Sequence, residues 1–296
     1  MIKLNNQMLI VGGDIRQLTV ADELINDGLN VSVTGFDSTF FEKTYTYVDL
    51  KKAVKENDII IFGLPMTKDG KFINTPCYSN NILLSDIVDN CDKPKIIIGG
   101  MIDELTKNIF LSKNCKVYDY YLREELIIEN VIPTVEGALS IALEETPFTL
   151  NGCECLICGF GRIGKLLAKT LTALNCKVTV SARKLEDFAW INCYGYTPIH
   201  TSKINESINK YKIIFNTVPK KIIDEECLKR TDKDCLIIDL ASKPGGTDFS
   251  YAKLLGVKVI WALSLPGKVA PKTAGIIIKK TICNILGELG VMKWRN

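Results

Sequence analysis

The chain is poor in several residue types and patterns, and each shortage excludes something. Its 296 residues include one histidine, His200, so a zinc site built on two or more imidazoles is excluded. Arginine is scarce. Of 37 basic residues only six are Arg, at positions 16, 123, 162, 183, 230 and 295, which makes each of those positions informative. No run of about 18 apolar residues occurs, so no membrane-spanning helix is expected. The opening Met1–Gln7 has no apolar secretory core and no cleavage site, and a cytoplasmic location is the expectation. There is no block of like charge, and the net charge is only +3, which argues against a nucleic-acid partner. No Pro- or Ser-rich linker divides the chain.

What is present reads as an ordinary globular protein, 47% apolar and 24% charged. The length suggests two domains. Eleven cysteines are more than usual. Many fall in apolar, strand-like runs, where Cys behaves as a small hydrophobe. Cys155-Leu156-Ile157-Cys158 spells C-x-x-C, but on a strand residues three apart face opposite ways. Reduced core thiols, with no metal site, are therefore expected.

Short apolar runs alternate with helical patterns along the whole chain. Strands are expected at Gln7–Val11, Asn30–Thr34, Asp58–Phe62, Lys95–Ile98 and Lys116–Tyr118. Helices are expected at Ile15–Asp27, with Asp14 as N-cap, and at Tyr47–Glu56. Pro133–Glu145 reads as a linking helix. A second series follows: strands Glu154–Cys158, Lys177–Ser181, Lys212–Phe215, Leu236–Asp239 and Lys258–Trp261, helices Ile163–Leu174 and Asp187–Cys193, and a final helix Thr273–Leu289. The pattern predicts an α/β protein with two Rossmann-like, doubly wound parallel-sheet domains and a cleft between them. The expected division is an N-terminal substrate domain, 1–132, joined by the C-terminal helix 273–296, and a dinucleotide-binding domain, 133–272.

The sharpest motif is Gly159-Phe160-Gly161-Arg162-Ile163-Gly164. It follows an apolar strand and opens a helix, the context that a dinucleotide fingerprint requires. Gly159 permits the tight turn, Gly161 lets the backbone approach a pyrophosphate, and Gly164 lets helix pack on strand. The following amides and the helix dipole favour an anion. The next strand ends in Val180-Ser181-Ala182-Arg183-Lys184, with no carboxylate where NAD readers usually place one. Arg183 offers planar donors for a phosphate, with Ser181 and Lys184 beside it, so NADP is favoured over NAD. Two loops at strand ends, Asn216-Thr217-Val218-Pro219 and Leu240-Ala241-Ser242, fall where a dinucleotide would pass.

Two further runs are unusually rich in Gly and Pro: Asp239-Leu240-Ala241-Ser242-Lys243-Pro244-Gly245-Gly246-Thr247-Asp248-Phe249 and Leu265-Pro266-Gly267-Lys268-Val269-Ala270-Pro271-Lys272-Thr273-Ala274-Gly275. With Gly12-Gly13-Asp14-Ile15-Arg16-Gln17 and Ile132-Pro133-Thr134-Val135-Glu136-Gly137, they resemble the family of the dipicolinate synthase A subunit over essentially the whole chain. The resemblance implies NAD(P)-dependent oxidation of a dihydrodipicolinate-level precursor to pyridine-2,6-dicarboxylate during sporulation, in the mother-cell cytoplasm. It also implies a partner, the flavoprotein-like B subunit of dipicolinate synthase; a homo-oligomer is left open. A dicarboxylate substrate needs cationic or N–H-rich loops. Arg16 is a candidate contact or a structural ion pair. Lys272 and Thr273, at the start of the last helix, suit an anion or are simply solvated. Thr134 and Glu136 begin the linking helix, where Glu136 is a base or a first-turn acid favoured by the dipole. Arg123 with Glu124 reads as a surface pair. His200 falls beside the adenine side rather than at the chemistry. Two other readings fit the residues: a different two-domain dehydrogenase of amino or 2-hydroxy acids, and a non-catalytic dinucleotide-binding regulatory protein.

Overall fold

A computed structural model of the chain describes residues 7–40, 46–47 and 49–292. Met1–Asn6 and Arg295 lie outside the described residues, as do residues 293–296 of the expected C-terminal helix. The chain divides into two compact units, Met1–Asn130 with Ala270–Asn296, and Val131–Val269.

Each unit is built on one sheet. In the first unit the strands are β1 (Gln7–Val11), β2 (Asn30–Thr34), β3 (Thr46–Tyr47), β4 (Ile59–Phe62), β5 (Ile96–Gly99) and β6 (Lys116–Asp119). In the second they are β7 (Glu154–Cys158), β8 (Lys177–Ala182), β9 (Thr197–His200), β10 (Ile213–Asn216), β11 (Leu236–Asp239) and β12 (Lys258–Trp261). The orders are β3-β2-β1-β4-β5-β6 and β12-β11-β10-β7-β8-β9. Counted from the first strand of each unit, both read 3-2-1-4-5-6, the doubly wound order. The pairings are parallel throughout. The order reverses between β1 and β4, and again between β7 and β10. A ligand crevice belongs at such points, outside the strands' carboxyl ends.

The central strands are apolar on both faces because helices cover both faces. In β1, Met8 and Ile10 enter one core layer, and Leu9 and Val11 the other. In β7, Cys155 and Ile157 face one layer, while Leu156 and Cys158 face the other. The two thiols of the C-x-x-C run therefore lie on opposite faces of the sheet. All eleven cysteines are unpaired, and nine are buried. Among the described residues, no group of three or more His, Cys, Asp or Glu side chains could hold a metal ion.

Several elements differ from the sequence reading. Tyr47 lies in β3, and the helix expected from it begins at Leu50, where Asp49 accepts the Lys52 amide at 3.1 Å. The cap, rather than the apolar spacing, sets that start. Leu265–Val269, within the second Gly- and Pro-rich run, forms a short helix. Pro266 is tolerated in its first turn, and Leu265 and Val269 pack against Gly137 of the helix Val131–Glu145, where a Cβ would stand 3.2 Å from each. Glu104–Ser112, Glu124–Glu129, Glu225–Arg230 and Phe249–Leu255 are helical as well. These helices run six to nine residues, too short for a clear period. One stretch, Glu124–Glu145, is long and apolar enough to cross a membrane by composition. It is two helices, however. Leu126 packs into the core of the first unit, and Val131, Val135, Ala138 and Ala142 into that of the second.

Candidate nucleotide-binding site

β7 runs into its helix through Gly159–Gly161, and the helix spans Arg162–Ala173. The three glycines have three separate reasons. Gly159 has φ +98°, and a Cβ there would stand 2.7 Å from Thr217 Oγ1. A Cβ on Gly164 would lie 2.2 Å from the Gly159 carbonyl oxygen, so helix and turn could not close. A Cβ on Gly161 meets nothing within 4 Å. The space in front of Gly161 is not filled by protein, as a turn that admits a phosphate requires. Gly161 is also the N-cap, with no side chain bonding the first amides of the helix, which leaves them for an anion.

The turn opens on a cavity of about 670 Å³ within the second unit. Gly159, Gly161, Ser181, Arg183, Lys184, Thr217, Val218 and Pro219 all line it. Thr217 is held by its Oγ1, which donates to the Cys158 carbonyl at 2.8 Å. Ser181 is fully buried, and its Oγ lacks a conventional partner. The Cys158 thiol beside it is a weak donor whose pKa is raised by burial. The hydroxyl is sealed behind the cavity wall, against that thiol. Lys184 is exposed and pairs with Glu186 at 3.0 Å. For Arg183 no ion-pair or hydrogen-bond partner stands among the described residues. Asp187, which falls beyond the strand end in sequence, also lines the cavity.

Other expected site residues stand elsewhere. Arg162, Ile163 and Gly164 form the first turn of the helix, off the cavity wall. Asn216 is fully buried, and its amide is already used. Nδ2 donates to Asp239 Oδ1 at 2.9 Å and to the Val218 carbonyl at 3.1 Å, while Oδ1 accepts the Val218 amide at 3.1 Å. Asn216 shapes the loop from behind. Leu240 is buried and Ser242 exposed, both off this wall. His200, expected on the adenine side, lines the cavity from the end of β9; among the lining residues that sequence reasoning left out are Thr201, Ser202 and Asn205, from the turn after it. They follow no motif, because only the β8–β9 pairing brings them there.

The first unit carries the same turn in altered form. Gly12 donates its amide to Thr34 at 2.9 Å, as Gly159 does to Ser181 at 3.0 Å. At the cap, however, Asp14 stands where the second unit has Gly161. Its carboxylate accepts the Arg16 amide at 3.0 Å and grips the guanidinium at 2.8 Å (Nε) and 2.7 Å (Nη2). Gln17 stands three residues past the cap, where the other turn has Gly164. Its Nε2 donates to Tyr120 Oη at 3.0 Å and to the Phe62 carbonyl at 3.2 Å. Burial pushes the Tyr120 hydroxyl well up, so it stays protonated and donates to the Phe62 carbonyl at 3.2 Å. The Gly13 amide is taken by the Asn74 carbonyl at 2.8 Å. A carboxylate over the helix start and an inserted glutamine close this turn to a pyrophosphate.

The substrate candidates divide between the units. Arg16, Lys272 and Thr273 belong to the first, Thr134 and Glu136 to the second. A Cβ on Gly275 would stand 2.6 Å from Thr19 Cβ and 2.7 Å from the Arg16 carbonyl oxygen. The helices Ile15–Asn26 and Pro271–Glu288 thus begin side by side, with Lys272 and Thr273 exposed one turn before that contact. Glu136 is exposed and Thr134 half-buried.

An open dinucleotide turn on a 3-2-1-4-5-6 sheet, in one chain with a second sheet of that order, defines an NAD-dependent oxidoreductase of the two-domain Rossmann kind. Residues 136–243 match the family model of the NAD-binding domain of D-isomer specific 2-hydroxyacid dehydrogenases, and residues 7–121 that of the N-terminal domain of the dipicolinate synthase A subunit. The chain belongs to the family of the dipicolinate synthase A subunit. It is 33% identical over 288 residues to the dipicolinate synthase A subunit of Bacillus subtilis (strain 168), covering 96% of each chain. The crystal structure of that enzyme's A chain from Bacillus subtilis superposes with a TM-score of 0.87 at 32% identity, over 97% of this chain and 98% of that one. The A subunit from Bacillus halodurans gives 0.85 at 30% identity, over 95% and 97%.

Proposed function

We propose that this chain oxidises a dihydrodipicolinate-level precursor to dipicolinate during sporulation, in the mother-cell cytoplasm and with a flavoprotein-like B subunit. Aromatisation removes one hydride and one proton from the ring, and NADP, preferred to NAD, would take the hydride. The open space before Gly161, in a member of this family, carries the reading. The unpartnered Arg183 supports a phosphorylated ligand along the same wall.

Bound nicotinamide supplies the hydride acceptor. The chain's own residues do the rest. The turn amides after Gly161 hold the pyrophosphate. Arg183 binds the 2′-phosphate. Arg16, Lys272 and Thr273 recognise the two carboxylates, Thr134 lends a hydroxyl, and Glu136 takes the ring proton. Because Asp14 already grips Arg16, an incoming carboxylate shares that guanidinium rather than finding it bare. The gain in aromaticity lowers the demand on the base.

Two other readings fare less well. A 2-hydroxy acid or amino acid dehydrogenase would need a placed acid/base, and the single histidine lines the nucleotide cavity instead. A non-catalytic regulatory protein is separated by turnover. In an assay following nicotinamide absorbance, with and without the flavoprotein-like partner, the chain should reduce NADP in the presence of the dihydro precursor. Arg16→Ala and Lys272→Ala should each lower kcat/KM by about ten- to a hundredfold, the loss of one charge-assisted contact, with nucleotide affinity unchanged. Absence of turnover in every combination would leave the regulatory reading. Two fully active variants would move the carboxylate site elsewhere.

A further inference from the structure

One polar group on the cavity wall has no role so far. His200 ends β9, and the parallel register sets it opposite Ala182, the last residue of β8. His200 and Arg183 therefore stand on adjacent strand ends, and both line the cavity. The imidazole is held from two sides. It tilts against Phe188, with ring centroids 6.3 Å apart. Its Nδ1 accepts the Ser202 backbone amide at 3.3 Å and lies 2.7 Å from Ser202 Oγ. With Nδ1 accepting, the neutral ring carries its proton on Nε2. That Nε2–H has no hydrogen-bond partner among the described residues. The wall thus presents two unpaired donors, a guanidinium and an imidazole N–H, from neighbouring strands. Of the other charges there, Lys184 is tied to Glu186 and Lys221 to Asp248, Lys220 is exposed, and Asp187 and Asp224 are the carboxylates that an anion would have to avoid.

We propose that His200 is a specificity-determining residue for the cofactor: its Nε2–H, beside Arg183, donates to the phosphate on the 2′ position of the adenosine ribose. Two donors fixed on rigid strand ends suit a tetrahedral oxyanion with several acceptor oxygens. They are wasted on a free 2′-hydroxyl, which one acceptor serves. The inference rests on the reading that NADP is the preferred cofactor.

The test is titration of the full chain with four ligands in two matched pairs: NADPH against NADH, and 2′,5′-ADP against 5′-AMP. The wild type should favour the 2′-phosphorylated member of each pair. His200→Ala should weaken NADPH and 2′,5′-ADP about tenfold, the low end for a lost charge-assisted bond, and leave NADH and 5′-AMP unchanged. His200→Gln, which keeps an N–H donor, should fall between the two. His200 is exposed, so both variants should melt with the wild type. Equal weakening of all four ligands by His200→Ala would overturn the role and make the ring an adenine support. An unchanged preference in His200→Ala, lost in Arg183→Ala, would overturn it while leaving the NADP reading intact. A wild type that does not discriminate would bring down both.

Discussion

At the residue scale, two glycines of one motif should fail in opposite ways. Gly161→Val adds a branched side chain where the protein has nothing within 4 Å. The fold should survive and nucleotide binding should be lost, with calorimetric titration and melting run on the same sample. Gly164→Ala puts a methyl 2.2 Å from the Gly159 carbonyl oxygen. That overpacks the helix against the turn and should cost about 1–3 kcal/mol of stability, visible as a lower urea midpoint. A Gly161→Val protein that binds NADP(H) like the wild type would remove the phosphate site from this turn. The altered turn of the first unit makes the same point by comparison. Asp14 puts a carboxylate where Gly161 leaves space, and an anion there would meet like charge.

At the element scale, loops on the second sheet are organised by a single buried carboxylate. Asp239 is fully buried at the end of β11 and accepts from Asn216 Nδ2 at 2.9 Å, the Ala241 amide at 3.0 Å, the Gly246 amide at 2.9 Å and Thr247 Oγ1 at 2.8 Å. It joins the loop after β10, which lines the cavity, to the loop after β11. Asp239→Ala would strand those donors, each at about 1–3 kcal/mol if left unsatisfied. A loss of about 3 kcal/mol or more in chemical denaturation is expected, together with weaker nucleotide binding; a change below about 1 kcal/mol would show that the loops hold themselves. In the first unit, the C-terminal helix is fastened at its end by Arg123, which bonds Glu288 through Nη1 at 2.8 Å and Glu125 through Nε at 2.8 Å. The bond to Arg123 holds the Glu288 carboxyl below its ordinary value. A carboxylate lowered in the folded state stabilises above its unfolded pKa, about 4.3 for Glu, and the contribution fades as pH falls through the folded value. Melting temperature measured from about pH 7 to pH 3 should therefore fall less steeply in Arg123→Ala than in the wild type. Parallel curves would mean that the clamp contributes nothing measurable.

At the scale of the whole molecule, two sheets of the same strand order share the work unequally. Only the second has the open turn, so nucleotide should stabilise that unit directly. At a hundredfold excess over Kd a ligand adds about 2.7 kcal/mol to the state that binds it. Hydrogen exchange with and without NADPH should show new protection concentrated in residues 131–269, strongest at the Gly159–Gly164 turn and the end of β8. Protection of equal size around Gly12–Gln17 would mean that the first turn also takes nucleotide, against its capped and filled geometry.

Much of this was legible from residues alone. Glu154–Cys158 and Leu236–Asp239 stand where the sequence places them, because strands buried on both faces are written as nearly continuous apolar segments; Asn30–Thr34 and Lys258–Trp261 do so as well, each with an exposed polar first residue. Much of the Gly159–Gly164 fingerprint is local too: the positive φ of Gly159 and the contact of Gly164 with the Gly159 carbonyl are decided within six residues, while Thr217 adds a distant contact at Gly159. Short helices such as Leu265–Val269 were not legible, since five residues have no period and this one exists because Gly137 leaves room for it. His200 was expected on the adenine side, but its place beside Arg183 was not legible, since it comes from strand pairing to Ala182, eighteen residues away in sequence. The sequence by itself determined the two parallel-sheet units and the turn that opens to a nucleotide, because those depend on local pattern and backbone sterics. Only the tertiary structure decided that Asn216 is a buried strut and that His200 stands beside Arg183. Those are questions of which side chains long-range packing leaves paired and which it leaves free.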